Sequence, residues 1–512
     1  MAIGRTHAVS LLGMQGAIVE IEADLSANLP AFVIIGLPDA ALGESRDRVR
    51  AAATNSGCAL PNRKLTVNLS PAALPKQGSA FDLGIALAAL AAAGTVNPES
   101  IDRVVHLGEL GLDGRLRPVN GVLPAVVAAA RAGFETVMVP TGNAEEAALV
   151  PGIRVVGIAS LLDAVIWHGG EFAPVPVDPI LRPQPDTAAL DDQLDLADVI
   201  GNDDAVQAML IAAAGGHHVF LLGPPGAGKT MLASRLPGLL PELGADAALE
   251  VSSLRSLAGM PVGTSLATRP PFEAPHHTAT SAALVGGGTG QIRPGAAARA
   301  SHGVLFLDEA PEFASSVLDA LRQPLESGVI SIHRANAIAH FPGSFQLVMA
   351  ANPCACGQYG ARDSDCTCSP MSRRRYLGRM SGPLLDRIDI QLRVHRVTSA
   401  QVRVAADSPS RSTAEARSAV ESARAVAAER LANTPWSLNS HVPGAWLRGP
   451  AARLPVATTT SIDRALERGG ITMRGYDRVL RVAWTLCDLD GADRPTSDHI
   501  GRALYLRKAL ST

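Results

Sequence analysis

Aromatic side chains are scarce in this chain. Phe, Tyr and Trp together supply 4% of 512 residues against 47% hydrophobic residues in all, so aliphatic and alanine packing must build the core. An excess of one charge is also missing. Lys and Arg number 45 and Asp and Glu 48, a formal net charge of −3. That excludes a global field for nucleic acid; any such surface has to be a local patch. Long apolar runs are absent too. The longest, around Leu83 to Val96, is alanine-rich and shorter than the roughly 20 residues of a membrane span, so it reads as a buried helix. Glu20, Glu22 and Asp24 interrupt the early apolar stretches. No targeting segment is evident, and a cytoplasmic protein is expected. No internal repeat of solenoid period is present. Cysteine is sparse, six in all. Cys58 and Cys487 are isolated and read as buried structural thiols. The other four crowd into one short segment, where metal binding is a better reading than disulfides in a cytosolic chain.

A chain of this length should hold several domains, and three blocks emerge. Residues 1–170 alternate β-like runs (AIVEIEADL, LTVNL, TVMVP) with alanine-rich helical stretches. The proline-rich, acidic APVPVDPILRPQPD marks a semi-rigid linker over 171–190. Residues 191–395 carry repeated strand signals. Residues 396–512 have few strand signals and many helical stretches; Val479, Leu480, Ala483 and Leu486 fall at helical intervals there, with Arg478 and Arg481 facing elsewhere.

What is present begins with HHVFLLGPPGAGKT. An apolar β-like segment, Val219 to Leu222, runs into a loop of Gly223, Pro224, Pro225, Gly226, Ala227, Gly228, Lys229 and Thr230. The glycines let backbone N–H groups face a phosphate. Lys229 supplies a point charge for the β- and γ-phosphates, and the Thr230 hydroxyl can ligate Mg²⁺. The following MLASRL reads as the helix whose N-terminus faces the anion. Strand, loop and helix come in the required order, so nucleoside triphosphate binding is expected.

Downstream, Val304 to Leu307 is a buried-strand pattern with Asp308 and Glu309 at its carboxyl end, where ligands collect in an open α/β sheet. Asp308 would order the Mg²⁺ held by Thr230, and Glu309 would polarise the attacking water. A further strand, FQLVMAAN, ends in Asn352, which can orient that water or simply cap the strand before Pro353. In GPLLDRIDI, Arg387 can reach across a subunit boundary to a neighbour's γ-phosphate; an ordinary surface arginine is the bland alternative. Arg474 opens a helix of the last block and would fold back onto the same subunit's phosphates as a second sensor.

These parts together resemble the AAA+ superfamily. Two inserts narrow it. Pro270 to Gly288 interrupts the order between the phosphate-loop helix and Asp308. Leu325 to Pro342 looks like a β-hairpin with its turn near Arg334–Asn336. The arrangement is similar to the clade of magnesium chelatases, MCM helicases and MoxR proteins, in which both inserts point at the central pore. Over nearly its whole length the chain resembles the YifB/ComM family of Mg-chelatase-like ATPases. GLPDAALGESRDRVRAA, NRKLTVNLSPAALPKQGSAFDLGIALA and GELGLDGRLRPVNGVLPA carry that resemblance beside the motifs above. It implies an α/β multidomain fold: a Lon-protease-like α/β N-terminal domain, an AAA+ α/β/α ATPase core with pore inserts, and a C-terminal helical lid.

The resemblance also raises peptidase activity, which needs a serine nucleophile and a lysine base. Aligned with the Lon motifs, Ala80 stands at the nucleophile position and Leu123 at the base position; Ser79 is one residue off. Neither half of the dyad is present, and a structural, docking or substrate-guiding domain is expected instead. Metal insertion into a porphyrin is the other alternative. The chelatase ATPase subunit resembles the middle and last blocks but lacks the Lon-like domain and works with partners carrying an integrin-type domain. No D-x-S-x-S signature occurs here. The family reading is an ATP- and Mg²⁺-dependent ring motor, a hexamer by family expectation. Such motors drive branch migration on single- and double-stranded DNA in natural transformation or homologous recombination. Candidate DNA contacts are Arg334 at the hairpin and His276 and His277 in the first insert, with Arg373, Arg374 and Arg375 as a further basic cluster; the bland reading of each is a solvated turn, and for the arginine cluster the two readings weigh evenly. No aromatic stacking platform lies near the hairpin, which fits backbone tracking over base readout.

Cys354, Cys356, Cys366 and Cys368 form two C-x-C pairs nine residues apart. Four thiolates suit a tetrahedral Zn²⁺, although paired ligands are usually two or more residues apart. The polar, turn-rich segment between the pairs would gain order from a metal. A structural zinc beside the hydrolysis site is the expectation.

Overall fold

The computed structural model describes residues 3–36, 40–76, 78–182, 194–288, 292–334, 337–359, 366–407 and 411–507. Its first part is built on a seven-stranded sheet. The strands are β1 (Gly4–Leu12), β2 (Gln15–Ser26), β3 (Ala31–Ile35), β4 (Lys64–Ser70), β5 (Val104–His106), β6 (Thr136–Pro140) and β7 (Arg154–Ile158). They lie in the order β3-β4-β2-β1-β5-β6-β7. Glu20, Glu22 and Asp24 do not break β2. They occupy its outward positions while Val19, Ile21, Ala23 and Leu25 are buried, the period-2 alternation of a sheet with one covered face. The cover is helix α1 (Asp82–Ala92), buried from Asp82 to Ala91, which is where the long alanine-rich run goes. Its small side chains let it lie close across β1 and β2.

Two buried histidines give this part a pH dependence. His106 Nε2 meets His168 Nε2 at 2.9 Å, and His168 Nδ1 meets Ser100 Oγ at 2.8 Å. Burial pushes His168 down to about 4 and His106 well below its ordinary value. The unfolded chain takes up these protons near pH 6.5; in the folded chain His168 does so only near pH 4 and His106 only well below its ordinary value. The stabilisation is therefore complete above about pH 6.5 and is lost as pH falls from there to about 4, by about 3 kcal/mol for His168 alone. Urea midpoints at pH 7, 5.5 and 4.5 should decline in that order for the wild type and less steeply for His168→Phe; parallel declines would remove the argument.

The second sheet is five-stranded and wholly parallel. It contains β8 (Val219–Leu222), β9 (Phe272–Glu273), β10 (Val304–Leu307), β13 (Gln346–Ala351) and β14 (Ile390–Arg393), in the order β9-β10-β13-β8-β14. Strands β8, β10 and β13 are buried at every residue, as expected where helices cover both faces. Helix α3 (Lys229–Leu239) leaves the end of β8, and α4 (Ala245–Leu257) follows. The first insert is partly integral to this sheet, since β9 is its edge strand. The expected hairpin is present as β11 (Val329–Arg334) paired with β12 (Ala337–Pro342), Ile330 opposite Phe341 at the base and Arg334 opposite Ala337 at the tip. Ile330 and Phe341 are buried in the core while Arg334 is exposed; the turn residues 335–336 lie outside the described residues.

Helices are the only regular elements among the described residues of the last block. Helices α5 (Thr413–Arg430) and α6 (Met473–Leu489) pack on α2 (Asp203–Gly215), the helix that precedes β8. Val479, Leu480, Ala483 and Leu486 are buried, as their spacing predicts.

The two sheets are tied together. The β1–β2 turn reaches β12: Gly13 has φ +62 and lies so close that a Cβ would stand 2.5 Å from the His340 carbonyl oxygen. Backbone N–H groups of Gly121 and Leu123 bond to Ser256 O (3.0 Å) and Ser256 Oγ (3.3 Å) at the end of α4. Of the expected linker, residues 171–182 are irregular, and Arg182 bonds Val119 O and Asn120 Oδ1 of the first part. The linker residues 183–190 lie outside the described residues.

Candidate functional site: a phosphate loop and an arginine edge

All five core strands point their carboxyl ends at one edge of the sheet, and the phosphate loop leaves β8 there. Gly226 (φ +75) and Gly228 (φ +86) take left-handed conformations that a side chain would strain, which is why the loop can curl. Lys229 opens α3. Its ammonium donates to Gly223 O (2.7 Å), Pro224 O (3.0 Å) and Asn352 Oδ1 (3.1 Å). Burial lowers the Lys229 pKa, while Asp308 and Glu309 pull the other way. The amine is thus folded over its own loop, in reach of an incoming phosphate.

Thr230 Oγ1 donates to Asp308 Oδ2 at 2.8 Å. A hydroxyl and a carboxylate at that separation, beyond the carboxyl ends of the two strands that flank β13, can share one Mg²⁺. Glu309 follows in a left-handed conformation, φ +50, with its N–H on Asp308 Oδ1 at 2.8 Å. Positive φ at a glutamate is uncommon and turns its carboxylate away from the strand line. Asn352, at the end of β13, meets Lys229. Five of the predicted residues, Lys229, Thr230, Asp308, Glu309 and Asn352, therefore come together.

Arg387 and Arg474 do not join them. Arg387 precedes β14, whose first residue pairs with Val219 at the start of β8. The phosphate loop begins after the other end of that strand, about 13 Å away along four residues. Arg387 is buried, donates to Pro383 O at 2.5 Å and pairs with Glu326. Arg474 is exposed in the first turn of α6. One turn on, Arg478 donates to Asp389 Oδ1 at 2.5 Å, just before β14. Helix α6 packs at the amino-terminal edge of the strands, so the expected return of Arg474 onto its own subunit's phosphates is not found.

That edge holds a cavity of about 780 Å³ lined by Glu326, Arg387, Asp389, Arg424, Arg478 and Arg481. Burial opposes ionisation of Asp389, but Arg478 and then His217 outweigh it and hold its carboxyl well below the usual range. His217 Nδ1 lies 3.3 Å from Asp389 Oδ2. Arg478 and Arg481 thus face this cavity. Nothing in the sequence spacing announced that Arg478 would meet Asp389 or Arg387 meet Glu326, because the partners are distant in the chain.

The DNA-contact candidates occupy separate places. Arg334 is at the hairpin tip. The His276 and His277 rings lie against each other with centroids 4.0 Å apart and planes 34° apart, and His277 Nδ1 lies 3.2 Å from Glu309 Oε2. Arg373, Arg374 and Arg375 lie on the helix Pro370–Leu377, with Arg373 over the Tyr359 ring at 3.7 Å.

The four clustered cysteines converge. Their sulfurs all lie within 4.8 Å of one another; Cys354–Cys356, Cys354–Cys366 and Cys356–Cys366 are 3.3, 3.7 and 3.6 Å apart. Thiolates at about 2.3 Å from a tetrahedral metal sit about 3.8 Å from each other, so the donor set fits. The Gln358 backbone N–H, and then the Cys354 thiol, hold Cys356 down at about 6, toward the metal-binding thiolate. The knot begins two residues after Asn352, and Gly357 packs against Pro225 of the phosphate loop. Residues 360–365 between the pairs lie outside the described residues.

At the Lon dyad positions, Leu123 is fully buried, its N–H shared between Glu146 (3.2 Å) and Ser256 of the ATPase part. Ser79 donates to Glu109. Lys76 is fully buried, its ammonium spent on the Gly36, Leu69 and Pro71 carbonyls.

Comparison with known proteins agrees with this architecture. The family model described as magnesium chelatase, subunit ChlI, matches residues 195–402. Subunit ChlI of Mg-chelatase matches residues 21–143, and the C-terminal model of that subunit matches residues 410–507. The class is therefore a magnesium-chelatase-like ATPase of the AAA+ type. Competence protein ComM of Haemophilus influenzae is 40% identical over 99% of this chain and 98% of its own. YifB of Escherichia coli is 38% identical over 99% and 97%. An uncharacterised Mycobacterium tuberculosis protein is 49% identical over 99% of each. The chain belongs to the YifB/ComM family of Mg-chelatase-like proteins. Lon protease of Mycolicibacterium smegmatis is 30% identical over 32% of this chain and 20% of its own length. Among the described residues, no helix is long and apolar enough to cross a membrane.

Proposed function

We propose that the chain is an ATP-hydrolysing ring motor that remodels branched DNA, with branch migration as its reaction. One observation carries the ring. The phosphate loop with Thr230, Asp308, Glu309 and Asn352 occupies one edge of the sheet, and Arg387 and Arg474 occupy the other. Only a second copy, edge to edge, unites a loop with an arginine, and closed rings, a hexamer here, repeat such heterologous contacts. In this reading residues 1–170 are a non-proteolytic Lon-like domain, 171–190 a linker, 191–395 the core and 396–512 the lid. The name competence protein on a full-length relative supports DNA as the substrate. So do exposed Arg334 and the His276–His277 pair, which offer phosphate contacts without a base-stacking surface. Peptidase activity is disfavoured by Ala80, by buried Leu123 and by Lys76 being committed to carbonyls.

ATP turnover with and without a four-way or forked DNA, followed by strand displacement from a labelled junction, tests this. Stimulation with displacement is expected; neither would end the motor reading, and ATP-dependent metal insertion with an integrin-domain partner would replace it with the chelatase. Lys229→Ala should weaken ATP binding about 10- to 150-fold, the loss of a hydrogen bond to a charged group. Titration of a fluorescent ATP analogue checks it, and an unchanged Kd would remove Lys229 from the site.

The cysteine knot is assigned a structural Zn²⁺ held by Cys354, Cys356, Cys366 and Cys368. Elemental analysis of protein prepared under reducing, chelator-free conditions should find one zinc per chain. Cys356→Ser should lose it and lower the melting temperature; zinc-free wild type of unchanged stability would refute the assignment.

A further inference from the structure

The cysteine knot is in mechanical contact with the nucleotide site. Cys354 is fully buried two residues after Asn352, whose Oδ1 accepts the Lys229 ammonium at 3.1 Å. Gly357 follows Cys356 with φ +77, and its N–H bonds Cys354 O at 2.9 Å. A Cβ on Gly357 would stand 2.7 Å from Pro225 Cγ and Cδ, so the turn that carries two of the thiols lies directly on the phosphate loop. Exposure of the thiols is unequal. Cys356 is exposed, Cys366 and Cys368 are half-buried and Cys354 is buried. An oxidant from solvent therefore meets Cys356 first. Cys356 Sγ lies 3.6 Å from Cys366 Sγ, against about 2 Å in a disulfide. Cys354 Sγ is nearer, 3.3 Å, but cysteines one residue apart close a small ring that strains the disulfide torsion.

We propose that Cys356 is a site of peroxide oxidation, which closes a disulfide to Cys366 and, through Gly357 and Pro225, weakens nucleotide binding. Only the accompanying loss of metal rests on the Zn²⁺ assignment above. The Cys356 thiolate attacks one peroxide oxygen. An S–O bond forms, the O–O bond breaks, and the leaving hydroxide takes a proton to become water; sulfur is oxidised to the sulfenic acid and peroxide is reduced. The Cys366 thiolate then attacks the Cys356 sulfur. The S–S bond forms, the S–O bond breaks, and a second hydroxide leaves as water. Two thiolates, one peroxide and two protons thus give one disulfide and two waters. Cys356 and Cys366 are withdrawn from the metal-binding set, and two thiolates alone do not hold zinc tightly. Drawing the two sulfurs together pulls the turn at Gly357, and the phosphate loop packed on it shifts with Lys229. A thiol reductant reverses the bond by exchange.

Full-length protein carrying Cys58→Ala and Cys487→Ala keeps the knot as its only thiols. It is treated with hydrogen peroxide and followed three ways: mass mapping of cross-linked peptides, a chromogenic chelator for zinc, and affinity for a fluorescent ATP analogue. A Cys356–Cys366 peptide, zinc release and roughly tenfold weaker binding are expected, the scale of one hydrogen bond to a charged group. Dithiothreitol with added zinc should restore all three. That reversal separates the knot from Met231, exposed beside Thr230, whose sulfoxide a thiol of this kind does not promptly reduce. Wild type under the same treatment, with Cys58 and Cys487 mapped, gives the same readouts should the double variant not fold. No disulfide, or one between other cysteines, overturns the site. The expected disulfide with unchanged affinity, or a loss that dithiothreitol does not reverse, overturns its link to the phosphate loop. Starting protein without zinc refutes the Zn²⁺ assignment, while the peptides and the affinities still decide the oxidation site.

Discussion

Replacing Arg387 by alanine is expected to lower ATP turnover by about 10³- to 10⁵-fold, the worth of an arginine that meets a transferring phosphoryl group, with nucleotide affinity retained. The expectation comes from where the residue sits. Arg387 is at the amino-terminal edge of the parallel sheet, beside β14, and its own phosphate loop is at the opposite edge. It cannot serve that loop. Its partner in the single chain is Glu326, three residues ahead of hairpin strand β11, so its charge is balanced there, and in the ring proposed above a neighbour's γ-phosphate would compete for it. Mixing is the discriminating measurement. Arg387→Ala chains and Lys229→Ala chains, each inactive alone, should recover turnover together, since some interfaces then join an intact loop to an intact arginine. No recovery in demonstrably mixed rings would place Arg387 outside the active site. Arg474 lies at the same edge, and its alanine variant should complement in the same manner.

Glu309→Gln should lower turnover by about 10²- to 10⁴-fold, the usual worth of a general base, while ATP and Mg²⁺ still bind. Glutamine is nearly isosteric and leaves Thr230 and Asp308 in place, so the metal-binding pair at 2.8 Å persists. What is lost is the oxygen that takes the proton. The variant should hold ATP without consuming it and lock the ring in its ATP form. Retention of radiolabelled ATP through gel filtration, together with size measurement, checks both parts. Full turnover in the glutamine variant would assign the water to another residue, with Asn352 the nearest candidate.

Much of the site was legible along the chain because its chemistry is local. Strand, glycine loop, Lys229 and Thr230 are contiguous, and a loop that cradles phosphate needs that order. Asp308–Glu309 and Asn352 each end an apolar run, and apolar runs of that length become central parallel strands whose carboxyl ends share an edge. The hairpin was legible from alternation, Ile330 and Phe341 inward and Arg334 at the tip. The four cysteines were legible from proximity alone.

Other features were not legible, for a common reason. Whether Arg474 turns to its own phosphates or to a neighbour's depends on how α6 docks, and that is decided by contacts such as Arg478–Asp389, 89 residues apart. Likewise Ala80 and Leu123 showed that a peptidase dyad is missing, but only the fold shows Leu123 buried beneath Ser256 of α4. The His277–Glu309 contact crosses from an edge insert to a central strand, with no periodicity to signal it.

By itself the sequence determined the nucleotide chemistry, the helical last block and the absence of a Lon dyad, since these follow from short-range spacing and residue type. Tertiary structure decided which edge of the sheet each charged group serves, because strand order and helix docking, not chain distance, set the separation between Lys229 and Arg387.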